Sequence, residues 1–346
     1  MQMIEARPDA PFYVVLNAGS GRAETELRCS TIRDVIGAAG RRCELEIVED
    51  ASQLGEVARR MAARAAQDNA ILVAAGGDGT LNSVAHEAVQ VGCVFGVLPQ
   101  GTFNYFGRTH RIPEDLAEAV HALLRARAQP VQIGMVNDRI FLVNASVGLY
   151  PKLLEEREHD KRQYGRSRVV ALLSAVKTAL GRHRNLRITL ELDGQVRHLR
   201  TSTLFVGNNR LQMEQVGMAP LEHALGEGRL AAIAPKPVGK LRMLGLLLRG
   251  ALGRLGEAED VVAFAFKSMT VRAPVLSGRR RLKVAADGEV TKMALPLRFQ
   301  AVEGRLALLV PDDAAALPDA GADAGADSAA GGAGAAGSTA RTAGAA

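Results

Sequence analysis

Along the first third of the chain, short apolar runs alternate with stretches in which apolar residues recur every three or four positions. "FYVVL" (12–16), "CELEIV" (43–48), "AILVAA" (70–75) and "CVFGVLP" (93–99) read as strands. The intervals read as helices, one to about Gly40 and one over 51–67. Strands that alternate with helices predict βαβ units and a doubly wound parallel α/β sheet. Glycine-containing loops follow the first, third and fourth strands: "NAGSGR", "GGDGT" and "QGTFN". All three fall on the carboxyl edge of such a sheet, where ligands bind.

From about Val131 the pattern changes to short β-rich runs, among them "VQIGMVN", "LRITLEL", "RLKVAA" and "RLALLV". Asp193-Gly194 between two of them is a type I′ hairpin signal. This predicts an antiparallel β-sandwich-like second domain, interrupted by helical inserts near 161–182 and 238–255. The expected layout is an α/β domain over 11–130, with 300–311 as a candidate completing segment, and a β-rich domain over 131–299. The Ala/Gly-rich stretch 312–346 has too little apolar surface to offset its ordering entropy and reads as a disordered tail.

Charge sharpens this picture. The chain carries a net +6, but the tail holds five aspartates against Arg341 and contributes −4, so residues 1–311 carry +10. A basic body points to a polyanionic partner, whether nucleotide, acidic lipid surface or nucleic acid. Cys29, Cys43 and Cys93 form no C-x-x-C pair, which fits a reducing cytoplasm rather than a disulfide framework. No signal-peptide pattern opens the chain, and no run of about 18 apolar residues predicts a transmembrane helix.

"ILVAAGGDGTLNSVAHEAV" (71–89) places three glycines in four positions between a strand and a helix. Bare backbone N–H groups and the positive end of a helix make an anion site there. The Walker pattern is absent, and G-x-G-x-x-G fails because Gly77-Asp78-Gly79-Thr80-Leu81 ends in Asn82. Asp78 is out of place in a plain anion cradle unless Mg²⁺ lies between it and phosphate. The histidines show no H-x-x-H spacing and no serine sits in G-x-S-x-G, so hydrolase and metalloprotease readings lack support.

The motif "GGDGTLN" (76–82) resembles the nucleotide-binding signature of the diacylglycerol kinase catalytic superfamily, which includes sphingoid-base and bacterial lipid kinases. "LPQGTFNYFGR" (98–108) resembles its second motif and "LNAGSGR" (16–22) its first-strand loop. "NASVGL" (144–149), "GEGRL" (226–230) and "ADGEV" (286–290) fall where the family has its later motifs, so the resemblance spans about 12–311. Three positions depart from it: Ala18 stands for a usual proline, Tyr105 for a frequent aspartate, and Glu227 for an aspartate in the metal loop.

The resemblance implies an ATP- and Mg²⁺-dependent lipid kinase acting on the hydroxyl of diacylglycerol or a related lipid. It assigns the nucleotide cradle to Asn17, Gly19, Ser20, Gly21, Gly76, Gly77, Asp78, Gly79, Thr80, Leu81, Asn82, Gly101, Thr102 and Asn104. Asn104 also reads as a loop or helix cap. It makes Asp287 or Glu289 the proton acceptor, although on the residues alone Asp287-Gly288 is a hairpin turn. It places Mg²⁺ on the carboxylate of Glu227 and the carbonyls of Ala224 and Arg229, an oxygen-only set. An NAD kinase shares the GGDG core and is the enzymatic rival; a nucleotide- or lipid-binding protein without turnover is the other.

"KLRMLGLLLRGALGRL" (240–255) reads as a helix with Leu241, Leu244, Leu248, Leu252 and Leu255 on one stripe beside Arg242 and Arg249. A basic amphipathic helix of this kind lies in the headgroup layer of an anionic bilayer. The expected partner is therefore lipid at an anionic membrane surface rather than nucleic acid. Association would be cytoplasmic and reversible, with a homodimer expected by analogy.

Overall fold

The computed structural model describes residues 9–19, 21–148, 151, 185–192, 194–273 and 280–312. Ser20, Leu149, Asp193, the helix expected near 161–182 and the tail beyond Asp312 lie outside the described residues.

The four apolar runs form β1 (Phe12–Asn17), β2 (Cys43–Val48), β3 (Ile71–Gly76) and β4 (Phe95–Pro99). Between them lie α1 (Arg22–Ala38), α2 (Leu54–Gln67) and α3 (Asp78–Val91). The strands pair in parallel in the order β2-β1-β3-β4. β3 is buried along its whole length, as a strand covered on both faces must be. β2 is the edge, and its Glu44 and Glu46 are tied to Arg64 and Arg60 of α2. Charged side chains on an edge discourage further strand pairing. α2 turns Val57, Ala58, Met61, Ala62 and Ala65 inward at helical spacing. The chain leaves β1 for β2 on one side and returns for β3 on the other, so the topological switch point lies between β1 and β3.

After β4 come α4 (Tyr105–Thr109) and α5 (Leu116–Arg125), then β5 (Arg127–Val136), β6 (Arg139–Phe141) and β7 (Asn144–Gly148). The second half supplies β8 (Leu186–Leu192), β9 (Gln195–Thr201), β10 (Thr203–Gly207), α6 (Arg210–Gln215), α7 (Ala219–Gly226) and β11 (Leu230–Pro235). It continues with α8 (Lys240–Ala251), β12 (Val261–Phe266), β13 (Ser268–Arg272), β14 (Arg281–Ala286), β15 (Glu289–Ala294) and β16 (Leu297–Val310).

A six-stranded antiparallel sheet runs β12-β11-β10-β7-β14-β15. The other antiparallel strands do not stand apart from the parallel ones. They extend the same sheet through β16 in the order β4-β16-β13-β8-β9. β16 meets β4 in parallel at Leu308↔Phe95 and pairs antiparallel with β5 and β13. Its Leu306, Leu308 and Leu309 belong to the apolar core of the parallel half, while its Leu297 and Phe299 join a second core with Phe141, Leu204 and Phe266. A fourteen-residue strand thus serves two cores with its two ends. No helix among the described residues is long and apolar enough to cross a membrane.

Candidate active site

The three glycine loops lie side by side at the carboxyl ends of β1, β3 and β4. Across the switch point, Asn17 Nδ2 donates to Thr80 Oγ1 at 2.9 Å. Gly19 N approaches Asn17 Oδ1 at 3.4 Å, and Gly21 caps α1. The loops after β3 and β4 touch so closely that a Cβ on Gly101 would lie 2.8 Å from Gly77 Cα and 2.9 Å from Asn104 Oδ1. Asn104 is buried at a φ of 48° and accepts from Gly101 N at 2.7 Å, so its side chain braces its own loop. Thr102 stays exposed beside it.

Gly77 precedes the first turn of α3, leaving the helix N-terminus bare. Asp78 turns its carboxyl sideways, where Phe106 N donates to Oδ1 at 3.3 Å. Burial raises its pKa above the ordinary carboxylate range, while N–H groups of Phe106 and Tyr105 pull it back. Leu81 is fully buried in the core and its N–H closes the helical bond to Gly77 O, so it serves the helix. Asn82 is also buried, and its Oδ1 has no partner among the described residues. A bare helix N-terminus, free backbone and an unused buried acceptor fit a phosphate-bearing ligand.

The Asp287-Gly288 turn between β14 and β15 sits on this helix start. A Cβ on Gly79 would lie 3.4 Å from Asp287 O. One helical turn on, Ser83 Oγ donates to Glu289 Oε1 at 2.7 Å, and Arg139 Nη1 reaches Oε2 at 3.3 Å. Glu289 is half-buried. Asp287 is nearly enclosed, at 7% exposure, and accepts three main-chain N–H bonds: from Leu142 at 2.5 Å, Val143 at 3.0 Å and Asn144 at 2.8 Å. Burial pushes its pKa up to about 7, against the pull of those N–H groups and with a further push from the charge of Asp78. The two carboxyls therefore differ in kind. Asp287 is committed to the 142–144 turn, and Glu289 is the more accessible.

Tyr105 stacks on Phe103 with ring centroids 5.5 Å apart and donates its hydroxyl to Gln215 at the end of α6. Asn209 Nδ2 reinforces that contact, donating to Tyr105 O at 3.1 Å and Thr109 Oγ1 at 2.7 Å. The aromatic departure from the family pattern is thus a brace between α4 and α6.

The loop expected to hold metal follows α7. Glu227 N donates to Ala224 O at 3.1 Å, and Gln132 Nε2 to Arg229 O at 3.2 Å. The Glu227 carboxylate lies 3.5 Å from His223 Nε2. A Cβ on Gly228 would lie 2.1 Å from Glu303 Oε1, so a second carboxylate borders the loop. Among the described residues no three His, Cys, Asp or Glu side chains converge as a metal cluster. The oxygen donors of the loop match a hard cation such as Mg²⁺.

Ser83, Arg139, Asn209, Gln215 and Glu303 escape the sequence reading. Only Ser83 carried a signal, since it lies four residues after Gly79 and therefore on the same helix face.

Comparison with known proteins agrees with this geometry. Residues 11–136 match the family model of the diacylglycerol kinase catalytic domain. A protein named "Probable lipid kinase YegS-like" from Pseudomonas putida is 30% identical over 273 residues, covering 75% of this chain and 83% of the relative. Its namesake from Cronobacter sakazakii is 36% identical over 98 residues, a match that spans only 33% of that relative. The crystal structure of a diacylglycerol kinase from Bacillus anthracis aligns with a TM-score of 0.61 at 16% identity, covering 88% of this chain and 97% of that one, which shows a shared fold. The chain belongs to the diacylglycerol kinase catalytic-domain family, whose relatives named here are lipid kinases.

Proposed function

We propose that this protein is an ATP-dependent lipid kinase that transfers the γ-phosphoryl group to the hydroxyl of diacylglycerol or a related lipid alcohol in an anionic membrane. The observation that carries the reading is the contact of the Asp287–Glu289 turn with the start of α3, which joins a phosphate cradle to a carboxylate from more than 200 positions away, the separation of Ser83 and Glu289. Phosphoryl transfer needs little else from a protein than position and charge.

The cradle holds the donor through main-chain N–H groups at the start of α3, with Asn17 and Thr80 closing one side and Gly101-Thr102 the other. Ser20, outside the described residues, belongs with them by its motif. Glu289, held between Ser83 and Arg139, accepts the proton of the lipid hydroxyl as that oxygen bonds to the γ-phosphorus and the bond to the β-phosphate oxygen breaks, releasing ADP. Asp287 acts by fixing the turn on which Glu289 stands. Mg²⁺ would rest on Glu227 and the carbonyls of Ala224 and Arg229, neutralising charge in that loop.

The experiment supplies labelled ATP, Mg²⁺ and a panel of diacylglycerol, other lipid alcohols and NAD. Label is expected in a lipid product. Glu289→Gln is expected to lower turnover by about 10²-fold or more while nucleotide affinity stays within a few-fold. Label on NAD alone, or on no acceptor, overturns the reading.

A further inference from the structure

We propose that the outward face of α8 is the surface by which this protein docks on an anionic lipid bilayer. The purpose of the docking rests on the lipid-kinase reading; the evidence for it is α8 itself.

The helix is held to the protein by a single buried side chain, Leu246. Its other leucines point away: Leu241 is 83% exposed, Leu248 53% and Leu252, the C-cap residue, 72%. At 3.6 residues per turn these three fall within about 40° of one another, on the side opposite Leu246. Cations line both margins. Arg242 and Arg249 lie on one flank and Lys240 on the other, with no acidic residue in the first turn. Arg242 reaches only Asp260, at 3.7 Å, with its side chain 76% exposed. Lys240 and Arg249 make no salt bridge among the described residues.

The stripe departs from the sequence expectation at one end. The helix stops at Ala251, Gly253 takes a φ of 68°, and Leu255 falls in a separate 3₁₀ turn. What remains is a short apolar ridge between basic margins, the pattern of a helix lying in the plane of a headgroup layer. A second copy fits it poorly. A twofold contact would set the same cations of both copies together, and four part-exposed leucines fall well short of the roughly 800 Å² per partner of a stable interface. An anionic bilayer takes both the leucines and the charge. The end of α8 is tied to α6 through Leu255 N and Val216 O at 3.0 Å. α6 in turn carries Gln215, bonded to Tyr105, and Gln212, bonded to Asn144 beside the Asp287 turn.

Co-sedimentation with vesicles tests the proposal without reference to turnover. Vesicles of phosphatidylcholine alone are compared with vesicles containing about one third phosphatidylglycerol, for the full chain and for Leu241→Glu/Leu248→Glu and Lys240→Glu/Arg249→Glu. All these positions are exposed, and thermal unfolding checks that the fold is kept. The unaltered chain is expected to bind the anionic vesicles, to bind the neutral ones at least tenfold less, and to lose binding as salt rises. Each double variant should lose at least tenfold on anionic vesicles yet phosphorylate a soluble short-chain acceptor at the unaltered rate. Vesicle binding through α8 without turnover of any lipid upholds the docking face while sinking the kinase reading. Equal binding by the variants, equal binding to both vesicle types, loss of short-chain turnover in the variants, or a dimer that the leucine changes break apart overturns the proposal.

Discussion

Asp287 stands at a φ of 44°, a left-handed conformation that aspartate tolerates better than most side chains, with its carboxyl filled by three N–H donors. Asp287→Asn keeps the shape but turns an amide NH₂ toward one of those donors. It should cost about 1–3 kcal/mol, the penalty for an unpaired buried donor. The cost depends on pH with a definite sign. The carboxyl titrates near 3.8 unfolded and is pushed up to about 7 in the fold, so the native state holds the extra proton between those values. Stability supplied by this group is therefore greatest at the acid end and falls as pH rises through about 7. Denaturant unfolding of both proteins at pH 5 and pH 8 should show the gap between them narrowing at the higher pH; a constant gap would mean that Asp287 titrates alike in both states. Little of this was legible in the sequence. Asp193-Gly194 and Asp287-Gly288 read as the same turn. What sets Asp287 apart is a turn about 145 positions away, at Leu142.

Among the elements, β1 to β4 fall within a residue or two of their apolar runs, because strands covered on both faces are written as continuous hydrophobic stretches. α6 and α7 did not stand out. At six and eight residues they show too little periodicity, and they are held by the Asn209 cap and by packing of Met213 and Met218. The joint between α6 and α8 is the sharpest packing constraint. Gly217 has a φ of 77°, and a Cβ there would lie 1.9 Å from Gly253 O, against backbone that cannot swing aside. Gly217→Ala should therefore destabilise the protein by at least about 2 kcal/mol, combining backbone strain with a steric clash. Hydrogen exchange should quicken first over 240–257, and uniform quickening along the chain would contradict a local joint.

At the scale of the whole molecule, β16 is the piece that the parallel half borrows from the far end of the described chain. It covers the edge of β4 and places Leu306, Leu308 and Leu309 in the core beside Phe95 and Val97. A protein stopped at Pro296 should lose that cover and appear in the insoluble fraction, with any soluble remainder lacking a cooperative unfolding transition; a soluble, cooperatively folded 1–296 would show that β4 tolerates a bare edge. The same strand sets a schedule for synthesis. Phe95 leaves the ribosome 213 residues before its partner Leu308. At about 5–20 residues per second that interval is roughly 10–40 s. Throughout it the most hydrophobic edge in the nascent chain stands open, which makes β4 the segment where a holding chaperone would be engaged longest.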